Sequence, residues 1–196
     1  MVDASGRLFN GDELLYVLAK DRIDRGQDIG GVVGTLMTNL AVENAIKGLG
    51  IGFERANVGD RYVLELLKQK GWIIGGEGSG HLLCLDQHST GDGIIASLQV
   101  LAAMSQAKKG LVQLLDSVKL FPQVLLNIKF KSGYDWKSDT ALKSQISQVE
   151  SDLQGTGRVL IRASGTEPVL RVMVEAQDNN VATSAAISIA DLVPKS

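Results

Sequence analysis

Between Val32 and Ala102, short apolar runs alternate with segments of helical periodicity, and this alternation constrains the fold more than any other feature of the chain. Val32-Val33-Gly34-Thr35-Leu36-Met37 is a largely apolar run, as expected of a strand buried on both faces. Thr38 or Asn39 then caps a helix carrying Leu40, Val42, Ala45, Ile46 and Leu49, ended by Gly50. Residues 51–56 form a second strand. Asp60 caps a helix with Val63, Leu64, Leu66 and Leu67, closed by Gly71. Strands at 72–74 and 81–85 flank a glycine-rich bend, and Asp92 caps a helix running through Ile94, Ile95, Leu98, Leu101 and Ala102. Strands alternating with helices of about 10–15 residues argue for an α/β/α layer around a mixed, mainly parallel sheet.

Phe121-Pro122 breaks that register. Beyond it the pattern predicts a strand (124–130), a helix (138–153), two strands (158–162 and 169–175) joined by a tight loop, and a helix (179–192). Val172 and Val174 alternate with Arg171, Met173 and Glu175, which suits a sheet with helices on one face, so a small α+β domain follows the α/β one. The opening stretch fits neither domain. Val2, a turn at Asp3-Ala4-Ser5-Gly6 and a helix capped by Asp12 with Leu14, Leu15, Val17 and Leu18 bury little by themselves. Residues 1–25 are therefore expected to be the remnant of a preceding domain, 26–118 the α/β domain and 120–196 the α+β domain, the whole being a fragment.

The 196 residues carry 20 Lys plus Arg against 22 Asp plus Glu, a balance that excludes a generic nucleic-acid binder. No apolar run is long enough to span a membrane, and the first residues lack the basic and apolar regions of a signal peptide. The single cysteine, Cys84, lies in an apolar run and reads as a buried thiol in a reducing, cytoplasmic setting. One Cys and two His, His81 and His88, leave no zinc cluster.

Three stretches carry groups with chemistry to offer. Arg162-Ala163-Ser164-Gly165-Thr166-Glu167-Pro168 places two hydroxyls and exposed backbone N–H groups beside an arginine fork, a pattern that favours an anion; Arg171 enters the same sheet. The same residues also suit a glycine-centred turn that is polar because turns face water. Gly75-Gly76-Glu77-Gly78-Ser79-Gly80-His81 combines close backbone approach with an acceptor, Glu77, and two hydroxyl- or ring-bearing residues, Ser79 and His81. It is neither a P-loop nor a dinucleotide fingerprint, and on spacing alone a plain strand connection is the favoured explanation. In Gly59-Asp60-Arg61-Tyr62-Val63, Arg61 stands in the first turn of a helix, where the dipole disfavours a cation, so a ligand or an ion pair is expected there.

Together with Val33 to Asn39, Val58 to Val63, Thr90 to Gly93 and Leu120-Phe121-Pro122-Gln123, these stretches resemble, in order and spacing, the C-terminal part of the bacterial phosphoglucosamine mutases, a branch of the α-D-phosphohexomutase superfamily. The resemblance covers essentially the whole chain but less than half of a full member. It implies a reaction that interconverts glucosamine 6-phosphate and glucosamine 1-phosphate through a phosphoserine enzyme and a bisphosphate intermediate, toward UDP-N-acetylglucosamine and cell-wall precursors. It also implies a Mg²⁺ and a catalytic serine in the missing domains one and two, a hexose bisphosphate activator for the parent enzyme, and no metal or catalytic serine in the fragment, which alone would be inert. In this chain it implies Glu77, Ser79, His81 and Arg61 as sugar-binding and Arg162, Ser164, Gly165, Thr166 and Arg171 as phosphate-binding. Arg61 is similar to the glucosamine branch, while Ala163 stands where many members carry Lys. A phosphomannomutase or phosphoglucomutase fragment, or a free-standing sugar-phosphate-binding module without chemistry, are the alternative readings.

Overall fold

The computed structural model describes every residue except Ser132, Gly165, Thr166 and Ser196. Internal contacts divide the chain into two units, Met1–Leu120 and Phe121–Ser196.

The first unit is built on the strand that the apolar run predicts. β1 (Gly31–Thr35) is buried at all five positions and pairs in parallel with β2 (Gly52–Ala56) on one side and β3 (Ile74–Gly76) on the other. β4 (Leu82–Cys84) adds antiparallel to β3, so the sheet order is β2-β1-β3-β4 and the sheet is mixed. Alternation divides the strand side chains between two cores. Val33 and Leu83 join Val63 and Leu67 of α3 (Asp60–Lys70). Val32, Ile74 and Cys84 face the opposite way, into a core shared with α1 (Gly11–Asp24), α2 (Leu40–Gly48) and α4 (Gly93–Ala107). Asn39, Asp92 and left-handed Gly71 cap their helices as expected. Asp60 does not: Gly59 is the N-cap of α3, and Asp60 is its first helical residue. A one-turn helix, α5 (Leu111–Leu114), had no sequence expectation.

The opening stretch departs most from expectation. Asn10, not Asp12, caps α1: its side chain accepts from Glu13 N at 3.0 Å while Glu13 Oε2 accepts from Asn10 N at 2.9 Å, a reciprocal capping box. α1 is buried on nearly every side, with Leu15, Leu18 and Ala19 wholly inaccessible. Arg22, 1% exposed, pins it further by donating to Asp86 at 3.2 Å and to Gln99 of α4 at 2.8 Å. Residues 10–25 are thus part of the first unit's core and not a remnant set apart from it. Val2 and Leu8, joined by an isolated antiparallel bridge, lie outside that packing as exposed large apolar residues.

The second unit is the expected small α+β sandwich. β5 (Gln123–Lys129) and β6 (Gly157–Ala163) flank β7 (Val169–Ala176), all antiparallel. Leu170, Val172, Val174 and Ala176 of β7 pack with Ile128, α6 (Thr140–Asp152) and α7 (Asn179–Ala190) in one core. The alternate residues, Arg171, Met173 and Glu175, point to the other face. Among the described residues no helix is long and apolar enough to cross a membrane. Cys84 is buried, and burial pushes its thiol up to about 11.

Candidate functional site

In the first unit the bend after β3 closes as a compact turn. Glu77 N donates to His81 O at 3.0 Å, and Gly80 N donates to Glu77 O at 2.9 Å. Two neighbouring segments then clamp it. Gly11 N, at the start of α1, donates to Gly78 O at 2.9 Å. A side chain at Gly11 is impossible without moving the turn, since a Cβ there would lie 2.7 Å from Gly80 N and closer still to Glu77 O. The Glu77 side chain, 9% exposed, turns inward, and its Oε1 accepts from Gly59 N at 2.8 Å. Gly59 has no side chain with which to cap α3, so the Glu77 carboxylate supplies the acceptor and the negative charge that this helix start favours.

That bond ties the turn to the segment bearing Arg61. The Arg61 guanidinium is exposed and donates to Glu65 at 2.8 Å, one helical turn on; this hydrogen bond and the carboxylate's charge hold its pKa above the usual arginine value. The ion pair offsets the unfavourable dipole position that singled Arg61 out. Ser79 and His81 are exposed, and neither side chain makes a hydrogen bond among the described residues. The backbone of the turn is therefore held from within while its two polar side chains face outward. Behind the turn lies a cavity of about 290 Å³ whose walls include Leu8, Leu14, Leu82 and Val100. It contains no charged side chain and does not suit a phosphate.

Asp12 was missed as a site neighbour because it looked like a helix cap. It is 4% exposed, its Oδ2 accepts from Asn39 N at 2.9 Å, and its carboxylate would stand 3.3 Å from a Cβ at Gly78. The Asn10-x-x-Glu13 spacing was the available signal: it assigns the cap to Asn10 and releases Asp12 for another contact.

In the second unit the decisive fact is register. Arg162 on β6 lies directly opposite Arg171 on β7, so both project from the face away from the helices. Among the described residues neither guanidinium makes an ion pair. Like charges directly opposite one another destabilise a sheet, and an anion between them removes that penalty. Ser164 follows, its N–H donating to Val169 O at 2.8 Å as the strand gives way to the loop. Gly165 and Thr166, the remaining two expected members of this group, lie outside the described residues.

Among the described residues no three His, Cys, Asp or Glu side chains converge on a point.

Residues 10–121 match the family model for phosphoglucomutase/phosphomannomutase, alpha/beta/alpha domain III, and residues 125–192 match that for the phosphoglucomutase/phosphomannomutase C-terminal domain. The chain belongs to this family. The domain III match starts at Asn10, the N-cap of α1, and so includes that helix, in keeping with its packing in the first unit. Among relatives of this family, the chain is 80% identical over 194 residues to a phosphoglucosamine mutase of Polynucleobacter asymbioticus, covering 99% of this chain and 43% of the relative. It is 59% identical to a phosphoglucosamine mutase of Delftia acidovorans, covering 44% of that protein. The chain thus spans less than half the length of these curated relatives. Its fold matches the crystal structure of Aspergillus fumigatus N-acetylphosphoglucosamine mutase in complex with GlcNAc-6P and magnesium, with a TM-score of 0.77 at 21% identity, covering 97% of this chain and 48% of that one.

Proposed function

We propose that this chain supplies sugar and phosphate recognition to a phosphoglucosamine mutase that interconverts glucosamine 6-phosphate and glucosamine 1-phosphate. The observation that carries the phosphate half is the cross-strand placement of Arg162 and Arg171 without a counter-ion among the described residues. The 80% identity to a phosphoglucosamine mutase over almost the whole chain supports the choice of substrate. Two guanidinium forks present several N–H donors to one phosphate, and Ser164 adds a hydroxyl at the loop's start. The role of this surface is to hold the phosphate that is not being transferred. Because it recognises only the phosphate, it accepts the substrate from either end, which a reaction through a bisphosphate that turns over requires.

In the first unit, Glu77, Ser79 and His81 read the sugar, with Arg61 beside them. Glu77 does so with its carboxylate also engaged by Gly59, so sugar contact and the position of the α3 start are coupled through one side chain. The phosphoserine that donates the phosphoryl group, and the magnesium ion that neutralises it, belong to the part of the enzyme that this chain does not span, and a hexose bisphosphate serves as activator there. On this reading the chain by itself binds and does not turn over substrate.

An NMR titration of the isotope-labelled chain tests the reading, with glucosamine 6-phosphate, mannose 6-phosphate and inorganic phosphate as ligands. Shifts at both the 76–81 turn and Arg162–Ser164, larger for the amino sugar, are expected. Shifts at Arg162–Ser164 alone, equal for all three ligands, would overturn the substrate assignment and leave a phosphate-binding module. A larger response to mannose 6-phosphate would transfer the chain to the phosphomannomutase branch.

A further inference from the structure

We infer that Asn127 and Lys129 of β5 are further ligand-binding residues of the phosphate surface, forming its wall on the side away from Arg162. The inference rests on the reading of the Arg162–Arg171 row as a phosphate site. Ile128 is 7% exposed and packs into the helix-side core, so its neighbours Asn127 and Lys129 project from the opposite face. The register places Asn127 directly opposite Arg171, on the far side from Arg162, giving a continuous row Asn127–Arg171–Arg162 across three strands. Lys129 is opposite Val169, the residue whose carbonyl accepts from Ser164 N. Phe130 N then donates to Pro168 O at 3.0 Å, so the end of β5 runs alongside the last residues of the Ser164–Pro168 loop. The cations Lys129, Arg162 and Arg171 therefore gather at one end of one sheet face.

The other end of the same face shows that this sheet can provide counter-charge. Arg158 donates to Glu175 Oε2 at 2.7 Å, and Gln123 donates to Glu175 Oε1 at 2.9 Å, completing the row Gln123–Glu175–Arg158 with an acid at its centre. At the loop end the central position is Arg171, and neither Asn127 nor Lys129 makes a side-chain hydrogen bond or ion pair among the described residues. A lysine on an edge strand also deters pairing with other sheets. That role explains neither Asn127 nor the absence of any acid from the three strands' row. A phosphate dianion accounts for all of it: Lys129 supplies a mobile third charge, and the Asn127 amide donates to a phosphate oxygen while its carbonyl accepts from a neighbouring hydroxyl.

The test is binding of inorganic phosphate and of glucosamine 6-phosphate to the chain at low salt, followed by backbone NMR, for the wild type, Lys129→Met, Lys129→Arg, Asn127→Ala and Arg162→Ala. Lys129→Met keeps the aliphatic stem and is expected to weaken both ligands about 3- to 10-fold, with Lys129→Arg restoring most of the loss. Asn127→Ala is expected to weaken binding about 3-fold. Unchanged chemical shifts at Leu170 and Val172 certify the fold of each variant. If the wild type binds and Arg162→Ala weakens binding about 30-fold while Lys129→Met and Asn127→Ala bind like the wild type, this inference falls and the phosphate reading stands. If the wild type shows no response at Arg162–Ser164, the phosphate reading falls and takes the inference with it.

Discussion

The 76–81 turn and the loop end of the second unit's sheet solve the same problem in opposite ways. In the turn, Glu77, Gly78 and Gly80 are held by hydrogen bonds to Gly59, Gly11 and one another, so the backbone is set before any ligand arrives. On the sheet, Arg162 faces Arg171 with no acid between them among the described residues, and the arrangement is unfavourable until an anion binds. The first region is fixed by its own hydrogen bonds; the second, among the described residues, holds two facing cations without a counter-charge. If the second unit binds phosphate as proposed, saturating phosphate is expected to raise its stability, because a ligand that binds only the folded state shifts the folding equilibrium toward it.

The sharpest way to break this comparison is within one strand. Arg158→Ala removes the cationic partner of Glu175, which is wholly buried, and is expected to cost the free protein about 3–5 kcal/mol in urea unfolding. Arg162→Ala, on the same strand and face, is expected to leave unfolding unchanged or slightly improved while lowering phosphate affinity by about 2 kcal/mol, roughly 30-fold. Equal destabilisation by both would show that Arg162 is structural and would end the contrast. Gly11→Ala drives a methyl group into the backbone of the turn and is expected to cost about 3 kcal/mol, with chemical-shift changes at Glu77–Gly80 before anywhere else. A stable variant with an unmoved turn would show that the turn is not clamped from α1.

Glu77→Ala removes the acceptor for Gly59 N and is expected to cost about 1 kcal/mol, with faster amide exchange at the start of α3. In the longer enzyme it is also expected to alter discrimination among hexose phosphates, and equal loss on all of them would remove its sugar-reading role. The smallest effect concerns neither site. Tyr134 donates to Asp139 Oδ2 at 2.8 Å; burial first, and then this bond and the carboxylate's charge, push its pKa up to about 12. The folded state then keeps a proton that the unfolded chain releases near pH 10, so this contribution to stability is whole below about pH 10 and is lost as the pH rises toward 12. Ultraviolet titration should show Tyr134 ionising late, and Asp139→Asn should bring it earlier.

Much of this was legible in the residues themselves. The strand at Val32 and Val33, the caps at Asn39 and Asp92, the stop at Gly71 and the one-sided sheet of the second unit follow from periodicity and capping over a few residues. The same local logic misplaced two caps. Asp12 and Asp60 both look like N-caps, yet Asn10 and Gly59 hold those positions, because the cap is decided by backbone geometry and by partners such as Glu13 and Glu77. Residues 1–25 looked detached because a helix has no visible partner when α2 and α4 lie far along the chain.

What the sequence alone determined is most of the elements, the caps at Asn39, Asp92 and Gly71, and the facing of the strands, since a period of two or 3.6 residues is written in neighbouring positions. Only the tertiary structure decided that Glu77 reaches Gly59, that Asp12 reaches Asn39, and that Arg162, Arg171 and Asn127 share one row. Alternation says which way a side chain points but not which strand lies beside it or in what register. Those depend on the packing of whole sheets and helices, and a charge without its counter-charge becomes visible only once that packing is known.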